Sequence, residues 1–187
     1  MPDTDLIPPH GGYKKLVTYR LGNLIYDATA AFCARYLDRK DRTYDQMVQA
    51  ARSGVANIIE GSEASATSKK TELKLTNVAK ASQEELLADY QAFLRQHALP
   101  EWQSDSPQVQ LIRQTRPETL DELRQLMAVL VSDMSDQLAT AQRSADGSDP
   151  SDKSDIKLTV ACNTMITLIN QETYLLEKPD YQTCRFF

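Results

Sequence analysis

Four side chains in one short run have the types that could do chemistry. Arg52, Ser53, Asn57 and Glu60 sit in the segment Ala50-Ala51-Arg52-Ser53-Gly54-Val55-Ala56-Asn57-Ile58-Ile59-Glu60-Gly61. Arg52 and Glu60 are eight residues apart, two helical turns, so a helix would present them on a similar face. A guanidinium and a carboxylate so placed could form a polar site between helices, and a small hydrolase is the chemistry such a pair would suit. The alternative is a hydrogen-bond network or a set of caps for neighbouring backbone groups. Ser53 has no histidine near it in sequence and no G-x-S-x-G elbow, so it lacks the base that a serine nucleophile needs.

Other reactive residues are as thinly supported. Glu84 and Glu85 offer carboxylates, but a di-metal bundle needs Glu-x-x-His pairs, and His10 and His97 supply none. Cys33, Cys162 and Cys184 are widely spaced and odd in number. That pattern fits reduced thiols in a cytoplasm better than a disulfide framework or a zinc site. We expect no catalytic residue, no metal and no cofactor. The remaining candidates are cations: Arg35, Arg39, Lys40 and Arg42 in one cluster, and Lys69, Lys70 and Lys74 in another. Either could contact the phosphates of RNA or DNA. Net charge is −5 over 187 residues, yet residues 1–80 carry 12 Lys and Arg against 9 Asp and Glu, net +3, which leaves the rest at −8. The alternative is a solvated helical surface of mixed charge.

These side chains must be carried on helices. Glycine is sparse at 6, apolar residues make up 41%, and strong helix formers fill the middle of the chain. No apolar run approaches 18 residues and the first residues lack a signal-peptide core, so we expect a cytoplasmic protein with no membrane span. Residues 1–12, rich in Pro and Gly, read as an irregular arm. A first helix is expected over about 13–37, with Leu24, Ile25, Ala28 and Phe32 on one face. A second begins near Thr43, where Thr43-x-x-Gln46 suits a capping box, and stops at Gly61. Its small residues, Gly54 above all, would let a neighbouring helix come close. A third runs from about Ser68 to His97 and is ended by Pro100. One further helix is expected over about 117–142, then a polar linker to 154. A last helix covers about 155–178, where Asn163 and Asn170 could bond between helices. A tail, 179–187, follows.

From about Arg42 to Leu99 the chain resembles the four-helix-bundle family of bacterial large-subunit rRNA intervening-sequence proteins. That family includes the accessory variability determinant of diversity-generating retroelements. The likeness is carried by Gln46-Met47, Ala50-Ala51-Arg52-Ser53, Asn57-Ile58-Ile59-Glu60-Gly61, Lys69-Lys70-Thr71-Glu72-Leu73 and Val78-Ala79-Lys80-Ala81-Ser82-x-x-Glu85-Leu86. Ala161-Cys162-Asn163-Thr164 to Tyr174-Leu175-Leu176 is similar to the later helix of the variant called four helix bundle suffix domain proteins. The resemblance implies a cytoplasmic bundle that assembles as a homopentameric ring. In the retroelement member it implies binding to nucleic acid and to a reverse transcriptase through a basic surface. Arg52, Ser53, Gly54, Asn57, Glu60 and Gly61 are expected to form a structural motif on the second helix. The helix near 117–142 and the acidic balance are departures from the pattern.

The expectation is therefore an all-α, up-down four-helix bundle with one inserted helix. Residues 13–99 supply three bundle helices, 100–154 the insertion and its linkers, and 155–178 the fourth. The expected function is that of a non-enzymatic homo-oligomeric scaffold or adaptor, binding RNA or DNA and a partner such as a reverse transcriptase. The alternative is a protein-only interaction module. Wide apolar stripes on the second and last helices are the sequence argument for assembly.

Overall fold

A computed structural model describes residues 12–144 and 153–178. The arm before residue 12, most of the 144–154 linker and the tail from 179, with His10 and Cys184, lie outside the described residues. Six α-helices and no strand occur among the described residues: α1 Val17–Tyr36, α2 Arg42–Ala64, α3 Lys69–Gln96, α4 Pro107–Thr115, α5 Leu120–Ser144 and α6 Lys153–Leu176. The all-α class expected from the sequence is what the chain adopts. No helix among the described residues is long and apolar enough to cross a membrane.

Several helix ends differ from the sequence expectation. Asp41 caps α2 in place of Thr43: its carboxylate accepts from the Thr43 amide at 2.8 Å. That bond holds the Asp41 carboxyl below its ordinary value, as expected for a charged acceptor of a backbone donor. Gly61 does not stop α2. It is a buried helical residue, and the helix continues to Ala64, where the Ser65 hydroxyl donates to the Ser62 carbonyl at 2.7 Å. α3 ends before Pro100, in a turn where the Leu99 amide bonds to the Leu94 carbonyl and Ala98 takes φ 53°. Glycine usually holds that left-handed position. The insertion is two helices, not one. Ser106 caps α4 with Pro107 in its first turn, and Arg116, at φ 49°, closes it. The Thr119 hydroxyl then accepts from the Glu122 amide at 3.2 Å to start α5.

The chain folds as two compact units that divide α3 and α6 between them. The first holds α1, α2, α3 up to Leu86 and α6 from Ile169 on. Leu16, Ile58, Ala79 and Leu176 meet in its core. One helical turn further in, the register brings Gly54 on α2, Gln83 on α3 and Glu172 on α6 to a common level, because each lies four residues from a member of that apolar set. Gly54 and Gln83 are buried together: a methyl at position 54 would stand 2.4 Å from Gln83 Nε2 and 3.0 Å from Cδ. Gly22 on α1 is placed likewise, with Glu172 Oε1 2.6 Å from where its Cβ would be.

The second unit runs from Leu87 to Leu168. Val109, Ile112, Leu123, Leu126 and Leu130 are buried on α4 and α5, as are Ile156, Leu158, Val160, Met165 and Leu168 on α6. Asn163, also buried, anchors the segment after α3: its amide nitrogen donates to the Pro100 carbonyl at 2.9 Å and its oxygen accepts from the Trp102 amide at 2.7 Å. Asn170, paired with it in the sequence reading, is exposed and takes no such part.

Two substitutions test this packing. Gly54→Leu should cost about 1–3 kcal/mol in thermal or denaturant unfolding through overpacking, and part of that cost should vanish when Gln83→Ala is added, because the two side chains compete for one space. Asn163→Ala should cost roughly 1–3 kcal/mol, the penalty of leaving the Pro100 carbonyl and Trp102 amide without partners.

Candidate functional site

The four candidate residues of α2 do not converge. Ser53 faces α3, and its hydroxyl lies 2.9 Å from that of Ser82. Asn57 turns back along its own helix, donating to the Ser53 carbonyl at 2.9 Å. Arg52 and Glu60 are exposed and share no ion pair among the described residues. The small polar residues thus join two helices, and the charged ones face solvent. Cys162 is no better a nucleophile: burial pushes its thiol up to about 12, so it holds no thiolate at neutral pH. The Cys33 thiol is buried against Met47, 3.9 Å from its sulfur. His97 stacks on Phe93 with ring centres 4.1 Å apart.

The cations divide into two groups. Arg35, Arg39, Lys40 and Arg42 are exposed at the turn between α1 and α2. Arg35 lies over the Tyr36 ring at 5.4 Å and Arg39 over Tyr44 at 5.5 Å. Asp38 and Asp41 share that turn and accept from its backbone amides. Lys69, Lys70 and Lys74 open α3. Lys69 pairs with the buried Glu72 at 2.8 Å, a carboxylate well placed in the first turn of a helix. Lys70 and Lys74 stand one turn apart, exposed, with no ion pair among the described residues. The 23 residues of α2 lie between the two groups, about 35 Å at 1.5 Å per residue. They do not form one pocket.

Lys70 and Lys74 border the surface feature that the sequence reading missed. Leu73 is 63% exposed and Val78 40%. Together with Asn77 and Glu85 they line a shallow groove along the outer face of α3. Leu73 and Val78 fall outside the apolar stripe of α3, and that offset from the buried face was the signal available in the sequence. By contrast most of the apolar breadth of α6 is used inside the chain: Leu158, Cys162, Met165, Leu168, Ile169 and Leu176 are buried, while Ala161 and Leu175 are half-buried.

Gln83 and Glu172 were also missed. Both are fully buried, and their side-chain polar atoms have no hydrogen-bond partner among the described residues. Burial raises the Glu172 carboxyl well above its ordinary value, so it stays protonated at pH values where an exposed glutamate has ionised. A Cβ added at Gly22 would meet Val55 Cγ2 at 3.2 Å as well as the Glu172 carboxyl. The folded chain holds this proton above pH 4.5, where the unfolded chain has lost it, so stability falls as pH rises from there to the raised native value. Glu172→Gln, which removes the titration and keeps the shape, should therefore be the more stable variant at pH 7. Its advantage over the parent should shrink steadily towards pH 4 in urea unfolding.

Comparison of the chain with protein-family models, with curated proteins and with solved structures gave no match.

Proposed function

We propose that this chain is a non-enzymatic helical scaffold that works as a homo-oligomer, built on an up-down four-helix core. The observation that carries the reading is the outer face of α3. It exposes Leu73 and Val78 beside one another's turns, with lysines at one end and a glutamate at the other. Apolar side chains grouped in a groove with a charged rim are the usual anatomy of a protein contact. The interior supports the same view. Polar side chains in it tie segments together, as at Ser53 with Ser82 and at Asn163 with Pro100 and Trp102. The likeness of residues 42–99 to rRNA intervening-sequence proteins, with a cytoplasmic location and a reverse transcriptase partner, is part of this proposal; the pentameric ring that the likeness implies is not required by it.

Binding to RNA or DNA is a second reading, favoured by Lys70 and Lys74, which stand together without ion pairs among the described residues. An oligomer would repeat them and convert weak sites into avid binding. The two readings separate in one pair of measurements. Light scattering at micromolar concentration should give a mass above the 21.0 kDa of one chain. Leu73→Asp with Val78→Asp should reduce it to one chain while helicity and melting stay as they were. A parent that is a monomer throughout would overturn the scaffold reading. Filter binding of single-stranded RNA and duplex DNA, titrated with salt, tests the second reading: retention that weakens with salt and is lost in Lys70→Glu with Lys74→Glu supports it. No retention at low salt overturns it.

A further inference from the structure

We infer that the outer face of α3 is complementary to itself, and that a second copy of this chain packs on it antiparallel, about a two-fold axis between Asn77 and Val78. This rests on the scaffold reading above and names the partner and its geometry.

The groove is lined by residues of α3 alone, from Lys70 to Glu85. An antiparallel copy centred between positions 77 and 78 pairs every lining residue with another lining residue. Lys70 meets the copy's position 85, a glutamate. Lys74 meets position 81, an alanine, over which its aliphatic stem can lie while the ammonium reaches water. Leu73 comes level with position 82, a small serine that is itself buried against Ser53 of α2, and Asn77 meets Val78 at the axis. No like charges face one another.

The other arrangements fail on charge. A parallel copy in register would set Lys70 against Lys70 and Lys74 against Lys74, which is repulsive in a partly desolvated contact. A head-to-tail ring needs a second, different patch to receive this one, whereas a two-fold contact needs only the patch itself. Shape agrees with charge. Ala81 is small, so the second helix can approach closely where Lys74 lies over it. Val78 stands at the centre, and Leu73 lies further out on either side.

The inner side of α3 fixes which residues form this face. Gln83 is held against Gly54, Ser82 against Ser53, and Lys80 pairs with Glu177 at 2.5 Å. Those contacts keep the opposite stripe pointing outward in every copy.

Charge reversal tests the pairing. Lys70→Glu and Glu85→Lys each place like charges together twice per dimer, so each alone should raise the dissociation constant at least tenfold. Mixed in equal amounts, the two variants restore both opposite-charge pairs, because position 70 of one faces position 85 of the other. Sedimentation or light scattering up to about 100 µM, a range that detects even weak dimers, should show each variant as a monomer and the mixture as a dimer. Both substitutions are exposed, and circular dichroism should show unchanged melting. An oligomer of the parent that neither reversal weakens, or a mixture no tighter than its parts, would overturn this contact and leave the scaffold reading standing. A parent that stays a monomer would overturn both.

Discussion

The first unit depends on two places where a helical glycine lies directly against a buried polar side chain of a neighbouring helix. At Gly54 the neighbour is Gln83, and at Gly22 it is Glu172. A glycine inside a helix ordinarily costs about 1 kcal/mol relative to alanine. Here each glycine makes room for a large polar side chain that would otherwise have to leave the core. The arrangement is demanding in both directions. The glycines admit the polar groups, and the polar groups are buried without hydrogen-bond partners among the described residues. Glu172 meets that demand by keeping its proton.

From this follows what the molecule can show to others. Because Gln83, Ser82 and Lys80 are committed to α2 and α6, the rotation of α3 about its own axis is set. Its other stripe, with Lys70, Leu73, Lys74, Asn77, Val78 and Glu85, has nowhere to go but outward. A helix that is amphipathic in the ordinary sense would put only polar residues there. This one puts a leucine and a valine there, between charges of opposite sign. The working surface is thus a consequence of how the interior is pinned. The second unit is organised separately, around Asn163 and the buried faces of α4, α5 and α6.

Much of the fold was legible in the sequence. The 3-and-4 spacing of Leu24, Ile25, Ala28 and Phe32, or of Ala79, Leu86, Tyr90 and Phe93, needs no tertiary context to read. The small residues around Gly54 announced a close approach. What was lost was lost for physical reasons. Helix α4 is nine residues, too short for periodicity to stand out, and only Ser106-Pro107 with Val109 and Ile112 marks it. Gly61 has the composition of a stop signal, but burial and the helix-forming residues after it prevail. Gln83 and Glu172 pass unnoticed in the sequence because nothing local says that a glycine on another helix awaits them. The candidate site fared worst. Arg52 and Glu60 were singled out by type, and their exposure leaves them without a shared role, while Leu73 and Val78 were passed over because an exposed apolar residue is invisible until the buried face is known.

The most direct test of the account is a distance across the proposed two-fold contact. A nitroxide label is attached at Asn77→Cys or at Lys70→Cys in a Cys184→Ser background, where Cys33 and Cys162 are buried and escape labelling. Helix axes in contact lie about 8–10 Å apart. Position 77 sits beside the axis of symmetry, whereas the two copies of position 70 are offset by roughly 22 Å along the helices. Pulsed electron paramagnetic resonance should therefore give one short distance for the label at 77 and one clearly longer distance for the label at 70. Equal distances at the two positions, several distances from each as a ring would produce, or no dipolar coupling at either, would contradict the account.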